Sequence, residues 1–279
     1  MRYNKPPLPF MGNKRNMLRH IKKVLEFMRE DGQIDSETIF IDCFGGSGLI
    51  SHNIKQWYPS NRVIWNDYDN YQERLNHIDT TEQLRQEIAK ILQAREPQTL
   101  KNAKLHPHTK EAILTLLQEQ SDAFIDCTTI STYLLFSGNY ATTLQGLEKA
   151  TFFYHSIPQQ LQSKGYLAGV ERVQADFIEL LDSYKDITNK CLILDPPYLQ
   201  TQVGNYKDSF QLGQFFKLIE RVSKPYLFFG SHKSDILPAF EYFGKYHKEL
   251  ESYTYRQAKL LNDTDYIIYP HPRTLLIPH

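Results

Sequence analysis

The tetrapeptide Asp195-Pro196-Pro197-Tyr198 stands directly after a short apolar run, residues 191–194, that predicts a buried strand. Proline has no N–H to donate to a sheet, so two consecutive prolines end the strand at its carboxyl edge, where open α/β sheets bind their ligands. The rigid turn holds two hydrogen-bond acceptors, the Asp195 carboxylate and the Pro196 carbonyl, beside the Tyr198 ring. These groups suit a planar ring that carries an exocyclic amino group.

The chemistry that this turn suits is alkylation of an adenine amino nitrogen, which is a poor nucleophile because its lone pair is delocalised into the ring. Donating both N–H groups to fixed acceptors favours the more nucleophilic pyramidal form, and Asp195 stabilises the positive charge that develops during attack on a methyl donor. Stacking on Tyr198 contributes about 1–3 kcal/mol, which helps to offset the cost of extruding a base from a duplex. The alternative is a simple strand-ending turn with a buried tyrosine.

A glycine-rich turn, Phe44-Gly45-Gly46-Ser47-Gly48, follows the first predicted strand. Glycines let a ligand approach the backbone, and the helix that begins after the turn offers unpaired N–H groups. Asp67 ends the next predicted strand 19 residues after Gly48, about the spacing at which a carboxylate reaches a ribose. The loop is one spacing short of the dinucleotide fingerprint, so a purely structural turn stays open as the alternative.

Strand and helix periods alternate around these two motifs. A helix with a basic surface is predicted over 14–30, and strands are predicted at 38–44, 62–66, 170–173, 191–194 and 226–229, with a C-terminal hairpin of 266–269 and 274–277. Residues 76–165 show helical periods without a convincing strand. We therefore predict a Rossmann-like, doubly wound α/β catalytic domain over 1–75 and 166–279, with a mostly helical insertion over 76–165.

Composition limits the partners. The chain has 279 residues with 32 basic and 32 acidic side chains, so any binding of nucleic acid must come from local patches. Three cysteines without a C-x-x-C pair indicate unpaired thiols in a reducing compartment, and His106 and His108 lack the neighbouring ligands that a metal site needs. No apolar run is long enough to span a membrane, and the N-terminus does not resemble a secretion signal, so we expect a cytoplasmic protein without membrane or metal partners.

In this order, the motifs resemble the Dam-type N6-adenine DNA methyltransferases, the alpha group of the D12 class, over most of the chain. Residues 9–15 are similar to the N-terminal motif of that family and residues 42–48 to its cofactor loop. Residues 66–69, 176–177 and 195–198 are similar to its ribose-binding, adenine-bracketing and catalytic motifs. The resemblance implies site-specific methyl transfer from S-adenosylmethionine to N6 of a flipped-out adenine in duplex DNA.

The resemblance also assigns roles to residues. The catalytic residues would be Asp195, Pro196 and Tyr198. The cofactor-binding residues would be Phe10, Gly12, Lys14, Asp42, Phe44, Gly45, Gly46, Gly48, Asp67, Asp176, Phe177 and Asp195. The insertion stands where the family has its target-recognition domain, so DNA contacts are expected from Lys101, Lys104, Lys110, Asn139 and Tyr140, and also from Tyr206 after the catalytic turn.

The sequence departs from the family pattern in three places. Asn13 replaces a glycine that many members have, Asp42-Cys43 stands where Glu-Pro is common, and the insertion lacks the sequences of the GATC-specific enzymes, which leaves the recognised site open. We expect a monomer or weak dimer, and a cognate restriction endonuclease is considered as a partner.

Other functions compete with DNA adenine methylation. Similar catalytic tetrapeptides occur in enzymes that methylate amino groups of RNA or protein, although the N-terminal motif and the insertion favour DNA. A non-catalytic nucleic-acid-binding protein with a methyltransferase shell is a further alternative, against which the intact Asp195 and Tyr198 argue. A cytosine-carbon enzyme is disfavoured because its cysteine nucleophile normally follows a proline, and none of Cys43, Cys127 and Cys191 does.

Overall fold

The computed structural model describes residues 3–96, 100–120, 122–136, 138–155, 160–197, 210–231, 236–248, 250, 253–259 and 264–270. The chain divides into two compact units. The first comprises Met1–Lys5, Gly12–Asp69 and Gly165–His279, and the second comprises Pro6–Met11 and Asn70–Lys164. The helical insertion was predicted over 76–165, and the long segment of the second unit is Asn70–Lys164. The role of this segment in DNA recognition stays a prediction.

The first unit is built on a sheet whose strands, among the described residues, follow the order β3-β2-β1-β4-β5-β7-β6. The strands are β1 Ile39–Asp42, β2 Val63–Asn66, β3 Glu171–Val173, β4 Lys190–Leu194, β5 Tyr226–Ser231, β6 Tyr253–Lys259 and β7 Thr264–Pro270. Strands β1 to β5 pair in parallel, and β7 is antiparallel to both of its neighbours. This arrangement confirms the predicted Rossmann-like α/β fold.

The central strands are rich in apolar residues because both faces of the sheet are covered. Every residue of β4 and β5 is buried, as expected for parallel strands between two layers of helices. On one face, Ile41, Leu192 and Phe228 share a core with the helices that follow β3, β4 and β5. The helices of this unit are α1 Leu18–Glu30, α2 Leu49–Trp57, α8 Phe177–Ser183, α9 Leu212–Ile219 and α10 Ile236–Phe243.

The prediction that 266–269 pairs with 274–277 in a C-terminal hairpin was wrong, because both edges of the first strand are occupied by other strands. Strand β7 contains the predicted 266–269, but it pairs with β6, Tyr253–Lys259, and on its other side with β5. Residues 274–277 lie outside the described residues. The β6 sequence, Tyr-Thr-Tyr-Arg-Gln-Ala-Lys, has no apolar stripe of period two, so it carried only a weak strand signal.

The second unit is helical, with its own core. Its helices are α3 Tyr71–Asn76, α4 Ile78–Arg95, α5 Pro107–Glu119, α6 Cys127–Leu134 and α7 Leu144–Lys149. Buried side chains such as Ile88, Ile113 and Ile130 pack together in its centre. Arg85, fully buried, is paired with Glu82 and lies over the Tyr133 ring at 4.6 Å from its centroid, so this buried charge is compensated.

Candidate active site

The site lies at the carboxyl ends of β1 and β4. The strand order reverses at this point, because β1 has β2 on one side and β4 on the other. Such a switch point opens the crevice in which doubly wound sheets bind ligands. Asp42 ends β1 and pairs with Ile193, two residues before Asp195. Since side chains alternate between faces with a period of two, Asp42 and Asp195 project from the same side of the sheet.

Asp42 is a buried carboxyl with one occupied oxygen. The Ser51 hydroxyl on α2 donates to Oδ2 at 2.6 Å, while no donor among the described residues meets Oδ1. Burial raises the pKa of Asp42 to about 7, and the nearby Asp195 adds to that rise. The site therefore holds a carboxyl that changes charge near neutral pH and has a hydrogen-bonding oxygen to offer.

Asp195 is held by a cation from the N-terminal segment. Lys14 Nζ lies 2.7 Å from Asp195 Oδ2, donates to the Gly12 carbonyl at 3.1 Å, and stands over the Phe229 ring of β5. Burial raises the pKa of Asp195, and the Lys14 ammonium acts in the opposite direction. The Lys14 ammonium thus stabilises the ionised form of the Asp195 carboxyl at the end of β4, in opposition to the effect of burial.

The glycine loop after β1 is packed so closely that two of its glycines cannot be replaced without movement. A Cβ on Gly45 would collide with the Trp65 indole, and Gly48, with φ of 74°, would place a Cβ 2.7 Å from Leu167 Cδ2. The Tyr166 hydroxyl donates to the Ser47 carbonyl at 2.9 Å from the same side. The loop is therefore a preformed backbone surface, and α2 begins directly after it.

Three aromatic rings gather beside the glycine loop. Phe44 lies 5.3 Å from Phe177 and 6.0 Å from Phe210, measured between ring centroids. Phe177 opens α8, and the preceding Asp176 caps that helix, since its Oδ1 accepts from the Ile178 N–H at 2.8 Å. The rings provide an apolar face of the kind that a flat heterocycle can contact.

Asp67 and Asn66 fix the end of β2. Asp67 is fully buried, its N–H donates to the Val173 carbonyl, and its Oδ2 accepts from Arg172 Nε at 2.8 Å. A ribose contact by Asp67 would share the carboxylate with that guanidinium. Asn66, also buried, donates to the carbonyls of Cys43 and Ala175 and accepts from the Ala175 N–H. Its amide ties together the segments that follow β1 and β3.

Comparison with known proteins identifies the family. Residues 10–215 match the model of the D12 class N6 adenine-specific DNA methyltransferase. The chain belongs to this family. It is also 38% identical over 244 residues to a Haemophilus influenzae protein named "Putative methyltransferase", covering 86% of this chain and 80% of that protein.

A solved structure described as an rRNA methylase from Streptococcus thermophilus also matches. The match covers 90% of this chain and 96% of that one, with 12% sequence identity and a TM-score of 0.34.

As a D12 class methyltransferase, the chain brings several predicted residues to one site. In the first unit, Lys14, Asp42 and Asp195 form a charged cluster, and Phe44 and Phe177 share an aromatic one. Pro196 is buried directly after Asp195. Phe10 belongs to the second unit, where its ring packs edge-on against Tyr71 at 5.7 Å. Tyr198 and Tyr206 lie outside the described residues.

The predicted DNA contacts lie in different settings within the second unit. Lys101 and Lys104 are exposed, and Asn139 and Tyr140 line one cavity. Lys110 donates from Nζ to the carbonyls of Glu148 and Ala150, both at 2.7 Å, so a phosphate would have to compete with two internal acceptors.

Several contacts around the glycine loop were not predicted from the sequence. Asn66, Trp65, Tyr166 and Leu167 shape the glycine loop and its surroundings, but each forms its contacts with residues distant in the chain. The only sequence signal was the position of Asn66 beside Asp67 at the end of a predicted strand.

The described residues contain no group of three or more His, Cys, Asp or Glu side chains arranged to hold a metal ion. Within the same part of the chain, no helix combines the length and apolar character that crossing a membrane requires.

Proposed function

We propose that the chain transfers a methyl group from S-adenosylmethionine to the N6 amino group of an adenine in duplex DNA. The observation that carries the proposal is the placement of Asp195, in a chain of the D12 class, at the switch point of the sheet beside Asp42 and the glycine loop. In this crevice the Asp195 carboxylate is available as a fixed acceptor at the end of a rigid strand.

The residues around the crevice fit the proposed cofactor. Gly45 and Gly48 allow close approach to the backbone, and Asp42 Oδ1 offers a buried acceptor that meets no donor among the described residues. The rings of Phe44 and Phe177 suit the adenine of the cofactor. When bound, S-adenosylmethionine supplies an electrophilic methyl group. Asp67 at the end of β2 is the proposed ribose contact, and Asp176 and Phe177 are proposed to bracket the cofactor adenine.

Asp195 and Pro196 are the proposed acceptors for the two N6 hydrogens of the substrate adenine. With both hydrogens engaged, the nitrogen lone pair is less delocalised into the ring and more available for attack. The negative charge on Asp195 stabilises the positive charge that forms on N6, and this stabilisation is larger at a partly buried carboxylate than in water. The bond between the methyl group and the sulfonium sulfur breaks as the bond to N6 forms, a neutral thioether is left, and N6 afterwards loses one proton to water. Tyr198 is the proposed stacking face for the adenine.

DNA is proposed to contact the helical unit, with Lys101, Lys104, Lys110, Asn139 and Tyr140 as candidates, and also Tyr206. Flipping of the adenine follows from the need to bring N6 to the end of β4. A cytoplasmic location, a monomeric or weakly dimeric state and a cognate restriction endonuclease stay predictions.

The decisive experiment offers labelled S-adenosylmethionine together with duplex DNA or structured RNA. We expect label in duplex DNA, at N6 of adenine, for the wild-type protein and none for Asp195→Ala. Asp67→Ala is expected mainly to weaken cofactor binding, measured by calorimetry. Label in RNA alone, or equal transfer by wild type and Asp195→Ala, would show that the proposal is wrong.

A further inference from the structure

A cavity of about 450 Å³ opens in the second unit between the end of α6 and the start of α7. Its lining includes Phe136, Asn139, Tyr140, Thr142 and Phe153. The size is within the range of about 300–1,000 Å³ that small-molecule pockets span in proteins. Every residue that lines it belongs to the helical unit.

The cavity has an aromatic wall that faces water. Phe136 is 51% exposed, although its ring contacts Phe153 edge-on at 5.6 Å between centroids. Exposed apolar surface that lines a groove and is bordered by polar residues is typical of binding sites. Since about half of the Phe136 side chain stays exposed beside this contact, its surface can meet a flat ring.

Polar groups stand next to this aromatic wall. Asn139 is exposed, and the bond from its N–H to the Phe136 carbonyl at 3.0 Å closes a turn that keeps the two side chains close in space. An asparagine amide both donates and accepts, which matches the edge of a nucleobase and pairs with adenine N6 and N7 in particular.

Positive charge borders the same wall. Lys104 forms an antiparallel bridge with Phe153, and directly opposed residues project their side chains to the same face. Lys149 precedes Ala150 and Thr151, which line the cavity, and both lysines are exposed. Glu148, the acidic residue beside Lys149, accepts a hydrogen bond from Gln118 Nε2 at 2.9 Å.

We propose that this cavity binds a nucleotide of the DNA substrate, with the base against Phe136, the base edge on the Asn139 amide and the backbone phosphate at Lys104. The inference rests on the proposed function, because it takes duplex DNA to be the substrate. It adds specificity-determining residues to that function. A ring, a base edge and an anion are the three chemical features that the aromatic wall, the amide and the lysines match together.

The binding test measures fluorescence anisotropy of a labelled pool of short duplexes with a randomised core. Phe136→Ala is expected to weaken duplex binding about tenfold or more, since one stacked base contributes about 1–3 kcal/mol. Phe136→Trp keeps an aromatic ring at this position and is expected to retain the wild-type affinity. Lys104→Ala is expected to weaken binding and to reduce the salt slope by about one. Lys90→Ala, which removes another exposed lysine of this unit paired with Glu87, is the matched control and should change neither.

The specificity test sequences the modified adenines in DNA from cells that express each variant in a host without adenine methylation. Asn139→Ala is expected to relax the base preference at one position of the methylated site and to leave the others unchanged. An unaltered site for Asn139→Ala, together with wild-type affinity for Phe136→Ala and Lys104→Ala, would overturn the proposal. A mononucleotide that binds in the cavity without competing with the duplex would also overturn the proposal.

The two tests separate this inference from the proposed function. Anisotropy does not require methyl transfer, so duplex binding that depends on Phe136 would support the cavity even if no adenine were methylated. Conversely, normal methylation at an unaltered site, together with wild-type duplex affinity in the cavity variants, would remove the inference and leave the proposed function intact.

Discussion

The ammonium of Lys14, just before α1, lies 2.7 Å from the carboxylate of Asp195, just after β4. Both side chains are largely shielded, with exposed fractions of 10% and 16%. Burial raises the pKa of Asp195, and Lys14 lowers it, so the protonation state of the proposed catalytic acceptor depends on this pair. Lys14 thereby connects the N-terminal motif to the chemistry at the end of β4.

Replacing Lys14 by Met is expected to move the acid limb of the rate profile to higher pH. Without the cation, the pKa of Asp195 rises further, and the ionised carboxylate is lost at a higher pH as the solution is acidified. An opposite charge at this distance typically shifts a carboxyl pKa by about 1–3 units, so we expect the limb to move by about one pH unit or more. Single-turnover methyl transfer at saturating cofactor and DNA measures the shift.

Two variants test whether the charge of Lys14 is the cause. Lys14→Arg keeps a cation and should retain the wild-type limb more closely than Lys14→Met. Lys22→Met removes an exposed lysine of α1 that is paired with Glu26, and it should leave the profile unchanged. An acid limb at the same pH in Lys14→Met and wild type would contradict the prediction.

The sequence located the two loops of the site because each has a local signal. Two prolines must end a strand at Asp195, and the glycines must form a turn after β1, whatever the rest of the chain does. The contact between Lys14 and Asp195 has no such signal, since it joins residues that only the fold brings together. For the same reason, the sequence did not show that Phe136 and Phe153 contact each other at a cavity and are not simply two of the many aromatic residues of the core.

The Asn66 amide was also beyond prediction, because its role depends on three backbone groups from other segments. Its amide nitrogen donates to the carbonyls of Cys43 and Ala175, and its amide oxygen accepts from the Ala175 N–H. Both residues are far from Asn66 in the chain. Strand β6 shows the opposite case, in which a weak local pattern becomes a strand because β7 offers it an edge.

The pH dependence of stability should carry a contribution from Asp42. Burial raises the pKa of Asp42 from 3.8 to about 7, so between these values the folded protein keeps a proton that the unfolded chain has released. The stabilisation from this group is complete below about pH 4 and is lost as the pH rises through about 7, with an upper limit of about 4 kcal/mol. Urea unfolding midpoints across this range measure it in the cofactor-free protein.

Asp42→Asn is the matched variant, since it retains an oxygen to accept from Ser51 but cannot ionise. Relative to Asp42→Asn, the wild type should lose stability as the pH rises through the window. Asp186→Asn, at an exposed position, should follow the wild-type curve. Parallel curves for wild type and Asp42→Asn would show that the carboxyl titrates alike in the folded and unfolded states.

Asn66→Ala should destabilise the first unit and weaken cofactor binding. The change removes two donated bonds and one accepted bond, and it leaves the buried Cys43 carbonyl and the partly buried carbonyl and N–H of Ala175 without that partner. We expect a loss of about 2–4 kcal/mol in the free energy of unfolding. Urea denaturation measures the loss. Asn76→Ala, at an exposed asparagine that accepts from Gln72, should stay within about 0.5 kcal/mol of wild type, and a similar value for Asn66→Ala would contradict the prediction.

Gly48→Ala should separate backbone strain from packing in the glycine loop, because the chain offers a control glycine with nearly the same positive φ. Gly48 and Gly32 have φ of 74° and 71°, but a Cβ on Gly32 would meet no atom within 4 Å, whereas one on Gly48 would lie 2.7 Å from Leu167. Gly32→Ala is therefore expected to lose about 1–2 kcal/mol from strain alone. Gly48→Ala should lose clearly more free energy of unfolding than this and should weaken cofactor binding, which Gly32→Ala leaves unchanged.

The double variant Gly48→Ala with Leu167→Ala tests whether the collision with Leu167 causes the additional loss. Its loss of unfolding free energy should be smaller than the sum of the losses of the two single variants. Equal unfolding free energies for Gly48→Ala and Gly32→Ala would mean that Leu167 moves aside freely and that the loop is less rigidly held than its contacts indicate.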